Sequence, residues 1–115
     1  MIFDQQITVV RAARTVDRYN NETLDWNHPD RTVITGVHVQ PAAQAEDETS
    51  QARQMVTTGW RLYTNHGQLD LVAGDRVELG DGTETDVRGE VARWPHPMRP
   101  GQIHHVEAYL ERRAG

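Results

Sequence analysis

Six histidines give this sequence its clearest potential for chemistry, because a neutral imidazole binds Zn²⁺ and other transition metals. His104 and His105 are adjacent in a predicted strand, where successive side chains point to opposite faces, so we expect that they do not hold one ion together. His28 and His96 each precede a proline in a predicted loop, and His38 stands among valines. No HExxH spacing and no cysteine accompany them. We therefore predict no metal site and interpret the histidines as surface or turn residues, which could make an interface sensitive to pH.

Nucleophilic catalysis has equally little support in the sequence. Ser50 is the only serine, no GxSxG motif surrounds it, and the chain has no cysteine. The glycine-rich stretch GDRVELGDG, residues 74–82, matches neither the P-loop nor the dinucleotide-binding fingerprint, and its glycines are typical of turns. No carboxylate falls in a segment that indicates the desolvated cleft needed for acid–base catalysis. The sequence therefore predicts a protein that is not an enzyme and that needs no cofactor.

The charge balance disfavours a protein that wraps nucleic acid. The formal net charge is −5, whereas neutralising phosphates requires a positive surface. One alternative is a small OB-like or SH3-like binding module for nucleic acid or peptide, with basic and aromatic side chains on one face. Arg61 and Tyr63 share a face of a predicted strand, and Arg11 and Arg93 are candidates to join them. All 12 basic residues are arginines, which suits a GC-rich genome and also bidentate contacts at interfaces.

Short segments that alternate apolar and polar residues must position these side chains. A period of two is typical of half-buried strands in an antiparallel sheet with one solvated side. The faces that the alternation groups together are Ile7, Val9 and Arg11; Val33, Val37 and Val39; Val56, Trp60 and Leu62; Val77 and Leu79; Val87 and Val91; and Val106, Ala108 and Leu110. A chain of 115 residues with this pattern predicts one all-β domain over residues 1–115, either a small barrel or a sandwich.

Turn residues separate the predicted strands. Asp81-Gly82 is a dipeptide that supplies the positive φ angles of a tight hairpin. Asn65-His66-Gly67 breaks the chain after the third strand by similar turn chemistry. The sequence WPHPMRPG, residues 94–101, is expected to be a loop because proline cannot donate to a strand ladder.

Two polar segments do not fit the alternation, and the first is Asp17 to Asp30. Its large apolar side chains are Leu24 and Trp26. We predict a long hairpin loop, and two interpretations of Trp26 remain open. The ring either tucks onto the sheet or anchors a docking site, since an aromatic group in a polar frame is typical of interface hot spots.

The second polar segment, Ala42 to Gln54, is an insertion between the second and third strands. It has no apolar stripe and contains Glu46, Asp47 and Glu48 in succession. An insertion of this length is uncommon in a compact domain and usually has a function or is disordered. We expect either a solvated, mobile loop or a loop that orders against neighbouring chains.

The order of these motifs resembles the head-to-tail stopper proteins of long-tailed bacteriophages, also called head-closure or head-tail connector proteins. The actinobacteriophage branch is nearest in style. The matching pieces are ITVVRAARTVDRYNNETLDW, VITGVHVQP, TTGWRLY, AGDRVEL with its glycine hairpin, V-R-G-E-V…W and HVEAYLERR, which together cover almost the whole chain. The loop WPHPMRPGQI departs from the family pattern and has no residue-by-residue match.

The resemblance implies a mainly antiparallel β-barrel of six to seven strands that assembles as a ring, typically hexameric. Such a ring lies in the virion at the head-tail junction, after assembly in the host cytoplasm. It joins the portal and adaptor rings above to the tail terminator and tail tube below, and helps retain packaged DNA. DNA passes through the channel without sequence-specific binding. The family has no enzymatic activity, no cofactor and no membrane association.

The resemblance also implies roles for particular residues. In relatives the loop between the second and third strands projects towards the channel, and here this loop is about residues 41–54. The residues expected to face the lumen are Glu46, Asp47, Glu48, Thr49 and Ser50. The residues predicted to contact ring neighbours are Tyr19, Leu24, Trp26 and Arg53. A tail terminator or tail-completion protein remains an alternative assignment.

Overall fold

The computed structural model describes residues 2–42 and 59–113, which form a closed barrel of antiparallel strands. The strands are β1 (Gln5–Val16), β2 (Glu22–Pro41), β3 (Gly59–Thr64), β4 (Arg76–Glu78), β5 (Glu84–Pro95) and β6 (Ile103–Arg112). Their order around the barrel is β1-β2-β3-β6-β5-β4, and the pairing of β1 with β4 closes it. The described residues include no helix, and hence none that could cross a membrane. The predicted all-β barrel fold is confirmed, with six strands.

The core fills the inside of the barrel with side chains from every strand. Its buried members are Ile7, Val9, Val37, Trp60, Leu62, Leu69, Leu71, Val77, Leu79, Val87, Val106, Ala108 and Leu110. Fully burying one such aliphatic side chain stabilises a fold by about 1.5–3 kcal/mol. The predicted alternation is confirmed in β4 and β6, and in β3 for Trp60 and Leu62, whereas Val56 lies outside the described residues.

β2 departs from the predicted alternation at Gly36. The register with β1 skips one residue there, and Gly36 has a φ of +72°, which together define a β-bulge. The extra residue reverses the direction of the side chains, so Val37 and Ile34 pack into the core while Val33 is 58% exposed. The prediction that Val33 shares the inward face with Val37 and Val39 was therefore wrong, because a period of two does not reveal a bulge.

The hairpin of β1 and β2 extends beyond the closed barrel. The two strands stay paired as far as Val16 and Glu22, and the Asp17 carboxylate closes the turn by accepting two backbone N–H bonds at 2.9 Å. The predicted loop Asp17–Asp30 was therefore wrong from Glu22 onward, because cross-strand pairing makes a strand of this polar segment. We call residues 13–26 the β1–β2 arm.

The predicted hairpin turn at Asp81-Gly82 is confirmed. Gly82 has a φ of +91°, and its N–H donates to the carbonyl of Leu79 at 2.9 Å. The Asp81 carboxylate accepts the N–H of Thr83 at 3.0 Å, and this hydrogen bond lowers the pKa of Asp81 below its ordinary value.

The proline-rich loop is shorter than predicted. Trp94 and Pro95 are the last two residues of β5, and β6 begins at Ile103. The intervening turn is closed by a hydrogen bond from the N–H of His96 to the carbonyl of Gln102, at 2.8 Å. We call residues 96–102 the β5–β6 turn.

The connection between β3 and β4, residues 65–75, is held to the barrel by a buried carboxylate. Asp75 is 3% exposed and accepts hydrogen bonds from Arg11 Nε at 2.9 Å, from Arg11 Nη2 at 2.8 Å and from the N–H of Val72 at 3.0 Å. Asp70 accepts a further bond from Arg11 at 3.1 Å. The bonds to Asp75 and Asp70 raise the pKa of Arg11 above its ordinary value. We call this bidentate pair the Arg11–Asp75 clamp.

Candidate interaction site on the β1–β2 arm

One face of the β1–β2 arm presents apolar side chains to solvent. Arg14 opposes Leu24 and Val16 opposes Glu22, and opposed residues of an antiparallel pair share a face. Val16 and Leu24 are 62% and 61% exposed, and Tyr19 in the turn is 72% exposed. An ion pair of 3.3 Å between Arg14 and Glu22 lies on the same face. Exposed apolar groups framed by charge are typical of interaction surfaces.

The opposite face of the arm is polar. The hydroxyls of Thr15 and Thr23 lie 2.7 Å apart across the two strands. Asp25, on the same face as Thr23, accepts the N–H of Asn27 at 2.9 Å and lies 3.3 Å from Nδ1 of His28. These contacts lower the pKa of Asp25, chiefly through the Asn27 bond. The arm is therefore amphipathic, and its apolar face is the one that a partner would cover.

Trp26 stands at the base of the arm and packs against the barrel. The guanidinium carbon of Arg76 lies 3.6 Å from the ring centroid of Trp26, which is a cation–π contact. Trp26 is half-buried and lines a shallow pocket with Val10 and Pro29. Arg76 also faces Asp86 at 3.8 Å. Trp26 thus joins the arm to β4 and β5, and its predicted contact with a ring neighbour stays a prediction.

The arm continues into an unpaired strand edge. β3 pairs with β2 only from Val37 to Pro41, and β4 pairs with β1 only from Thr8 to Val10. Within residues 2–42 and 59–113, no strand pairs with the outer edge of β2 ahead of Val37. Val33, which is exposed, lies on that part of β2. An unpaired edge offers backbone N–H and C=O groups to the strand of another chain.

The predicted site residues fall into two groups. Tyr19, Leu24 and Trp26 lie on the arm, with Tyr19 and Leu24 at its apolar face and Trp26 at its base. The other predicted residues lie outside the described part of the chain: Glu46, Asp47, Glu48, Thr49, Ser50 and Arg53. Pro41, taken as the start of the insertion, is the last residue of β2, and the next residue, Ala42, donates its N–H to the carbonyl of Gly59 at 2.9 Å.

The alternative basic and aromatic face is not assembled from its predicted members. Arg11 is held in the clamp, and Arg93 donates to two backbone carbonyls of the β3–β4 connection. Arg61 is exposed and Tyr63 is half-buried on β3. Arg11 and Arg93 are thus engaged in contacts within the chain, and the alternative of a basic and aromatic binding face stays a prediction.

Sequence reasoning missed a histidine cluster at the β5–β6 turn. Nδ1 of His104 lies 2.9 Å from Nδ1 of His105, and the ring centroids of His96 and His104 are 5.2 Å apart. The expectation that the side chains of His104 and His105 point apart was wrong for their imidazole rings. Alternation fixes only the directions of the Cβ atoms, and here the two imidazoles meet edge to face while Trp94 stacks on His105.

In the described part of the chain, no group of three or more His, Asp or Glu residues is arranged to hold a metal ion.

Comparison with known proteins bears on the fold. No protein-family model matches the chain, and no curated protein matches it. A similar solved structure is the solution structure of protein SF1141 from Shigella flexneri 2a, which aligns over 98% of this chain and 95% of its own with a TM-score of 0.61 and 16% sequence identity. At that identity the likeness shows a shared fold.

Proposed function

We propose that this chain is a structural virion protein that forms a ring at the head-tail junction of a long-tailed bacteriophage. The ring joins the portal and adaptor to the tail terminator and tail tube, and it helps retain packaged DNA. The sequence resemblance to head-to-tail stopper proteins supports the proposal, and the six-stranded barrel is the fold that this resemblance implies.

The observation that carries the proposal is the amphipathic β1–β2 arm. A closed ring of identical subunits needs a heterologous contact, in which one surface of each subunit meets a different surface of the next. The arm offers Val16, Tyr19 and Leu24 for such a contact, beside the unpaired edge of β2. The arm and this unpaired edge lie outside the pairings that close the barrel, so the barrel needs neither of them in order to fold. Both features therefore favour a function in assembly.

The acidic run Glu46, Asp47 and Glu48 is proposed to face the lumen of the ring. Negative side chains repel DNA phosphates, so DNA would pass through the channel without adhering to its wall. The net charge of −5 acts in the same direction. This part of the proposal rests on the sequence and on the family resemblance.

Inactivation of the gene in the phage that carries it tests the proposal. We expect heads that fill with DNA and then leak it, together with unattached tails, when lysates are viewed by electron microscopy. Supplying the intact protein from a plasmid should restore tailed particles. Normal tailed particles in the absence of the protein would refute the connector function.

A second candidate function is a peptide-binding module that captures an extended segment by strand addition. The unpaired edge of β2 favours it, since main-chain hydrogen bonds along such an edge supply affinity for an added strand. Purified virions separate the two functions. A connector is present at the junction in a fixed number of copies, whereas a peptide-binding module that acts during infection is absent from finished particles.

A further inference from the structure

A groove lined by hydrogen-bond donors lies between the β3–β4 connection and the β5–β6 turn. The polar side chains that face it include His66 and Gln68 on one wall, and His96, Arg99, Gln102 and His104 on the other. None of the residues that line the groove is a carboxylate. On a chain with a net charge of −5, such a surface is not expected from composition.

The two walls of the groove are packed directly against each other. A Cβ atom added at Gly67 would lie 2.5 Å from both Cβ and the carbonyl oxygen of Ile103, so the backbones meet in close contact. The Thr64 hydroxyl, which is buried, donates to the carbonyl of His66 and accepts the N–H of Val106 at 3.1 Å. The groove is therefore preformed, and a ligand would not have to order it.

Backbone hydrogen bonds fix which nitrogen carries the proton on two of the histidines. The N–H of Gln68 donates to Nδ1 of His66 at 3.1 Å, and the N–H of Met98 donates to Nδ1 of His96 at 3.0 Å. A neutral imidazole whose Nδ1 accepts a hydrogen bond carries its proton on Nε2. Each ring thus keeps an Nε2–H group that can donate to a ligand.

Arg99 adds a positive charge that no carboxylate of the described chain neutralises. Other arginines do have carboxylate partners within 4 Å: Arg11, Arg14, Arg31, Arg76, Arg88 and Arg113. The carboxylates nearest to the groove in sequence are engaged elsewhere, since Asp70 pairs with Arg11 and Glu107 accepts the indole N–H of Trp94 at 3.1 Å. The groove therefore combines one free guanidinium with several neutral donors.

We propose that this groove is a binding site for a phosphate group, either inorganic phosphate or the phosphodiester of a nucleic acid. The guanidinium of Arg99 supplies charge and a fork of donors that matches phosphate oxygens. His66 and His96 supply Nε2–H donors from the two walls. Phosphate has more acceptor oxygens than a carboxylate and so satisfies more of these donors. The proposal goes beyond the ring function and does not depend on it.

Nuclear magnetic resonance of the ¹⁵N-labelled full chain tests the site. One titration uses inorganic phosphate and a second uses a short single-stranded DNA oligonucleotide, with sodium acetate as the carboxylate probe. We expect phosphate to shift the amide signals of residues 65–68 and 96–102, and the imidazole signals of His66 and His96. Spectra of the free protein should show both rings with the proton on Nε2.

Matched variants locate the binding. Arg99→Gln removes the charge and should weaken phosphate binding about ten-fold, the loss expected for a hydrogen bond to a charged group. His66→Asn and His96→Asn keep an acceptor for the backbone N–H and lose the Nε2–H donor, so each should weaken binding several-fold. Arg18→Gln removes an exposed arginine of the β1–β2 turn and should leave binding unchanged. The amide spectrum of each variant reports whether it has folded.

The outcomes are distinct. Signal shifts with phosphate but not with DNA identify free phosphate as the ligand. Signal shifts with DNA that are reversed by added phosphate identify the phosphodiester as the ligand. Either result supports the site. An equal response to acetate, an equal loss in Arg99→Gln and Arg18→Gln, or no shift at millimolar phosphate overturns it. Particle morphology tests the ring separately, so failure of one proposal does not count against the other.

Discussion

The β1–β2 arm continues two of the six strands of the barrel, yet the apolar side chains of arm and barrel have opposite environments. In the barrel half of β1, Ile7 and Val9 are buried, whereas Val16 near the end of the same strand is exposed. Leu62 of β3 has no exposed surface, whereas Leu24 of the arm is mostly exposed. The apolar side chains of the barrel stabilise the monomer. Those of the arm are exposed and should contribute little to it, which is why we propose that they contact another chain.

The largest contrast in stability should come from two leucines. Leu62→Ala removes a fully buried side chain and should lower the free energy of unfolding by about 3 kcal/mol. Leu24→Ala should change it by less than about 0.5 kcal/mol, because the side chain is largely solvated already. Urea unfolding followed by tryptophan fluorescence measures both. Similar losses in the two variants would mean that the arm is part of the folded core.

A second contrast compares the two carboxylates that meet Arg11. Asp75→Ala leaves a guanidinium without its bidentate partner and a backbone N–H without its acceptor, and should lower the free energy of unfolding by about 2 kcal/mol. Asp70→Ala removes a mostly exposed partner and should lower it by less than about 1 kcal/mol. Thermal melting of both variants at neutral pH checks the order. Equal losses of stability in the two variants would show that the burial of Asp75 does not strengthen its interaction with Arg11.

Much of the barrel follows from the sequence because alternation reports directly on side-chain direction. Val106, Ala108 and Leu110 are buried as their period of two predicts. Leu69 and Leu71 are also buried, but they lie in a connection outside the strands. The connection that carries them is held by the Arg11–Asp75 clamp and by hydrogen bonds from Arg93 to the carbonyls of Leu69 and Leu71, tertiary contacts that no local pattern encodes.

The arm and the groove are harder to predict because each depends on contacts between separate segments of the chain. Polar residues from Glu22 onward are typical of a loop, and only their pairing with β1 makes them a strand. The apolar face of the arm then follows, since register decides that Leu24 shares a face with Val16. His66 and His96 are far apart in sequence and line one groove only because two connections pack together.

A third prediction concerns the bulge where β2 passes from its free edge into the barrel. Gly36→Ala places a side chain at a φ of +72° and should lower the free energy of unfolding by about 1 kcal/mol, although nothing crowds the added Cβ. Gly36→Asn should lower it less, because asparagine tolerates left-handed backbone better than alanine. Urea unfolding measures both losses. If the alanine and asparagine variants lose equal free energy of unfolding, backbone strain at residue 36 is not the cause of the loss.

A small effect on stability should accompany the largest effect on the assembly of particles. Leu24→Asp places a charge on the apolar face of the arm and should change the free energy of unfolding by less than about 1 kcal/mol, since the site is exposed. Burying that charge in a subunit contact is costly, so the variant should not restore tailed particles when the intact gene is inactivated. Thr23→Asp carries the same charge on the polar face and should restore them. Restoration by both variants would show that the apolar face of the arm is not a subunit contact. Failure of both would implicate the arm without distinguishing its faces. Val16→Asp would then decide between the faces, because Val16 lies on the apolar face but belongs to the other strand.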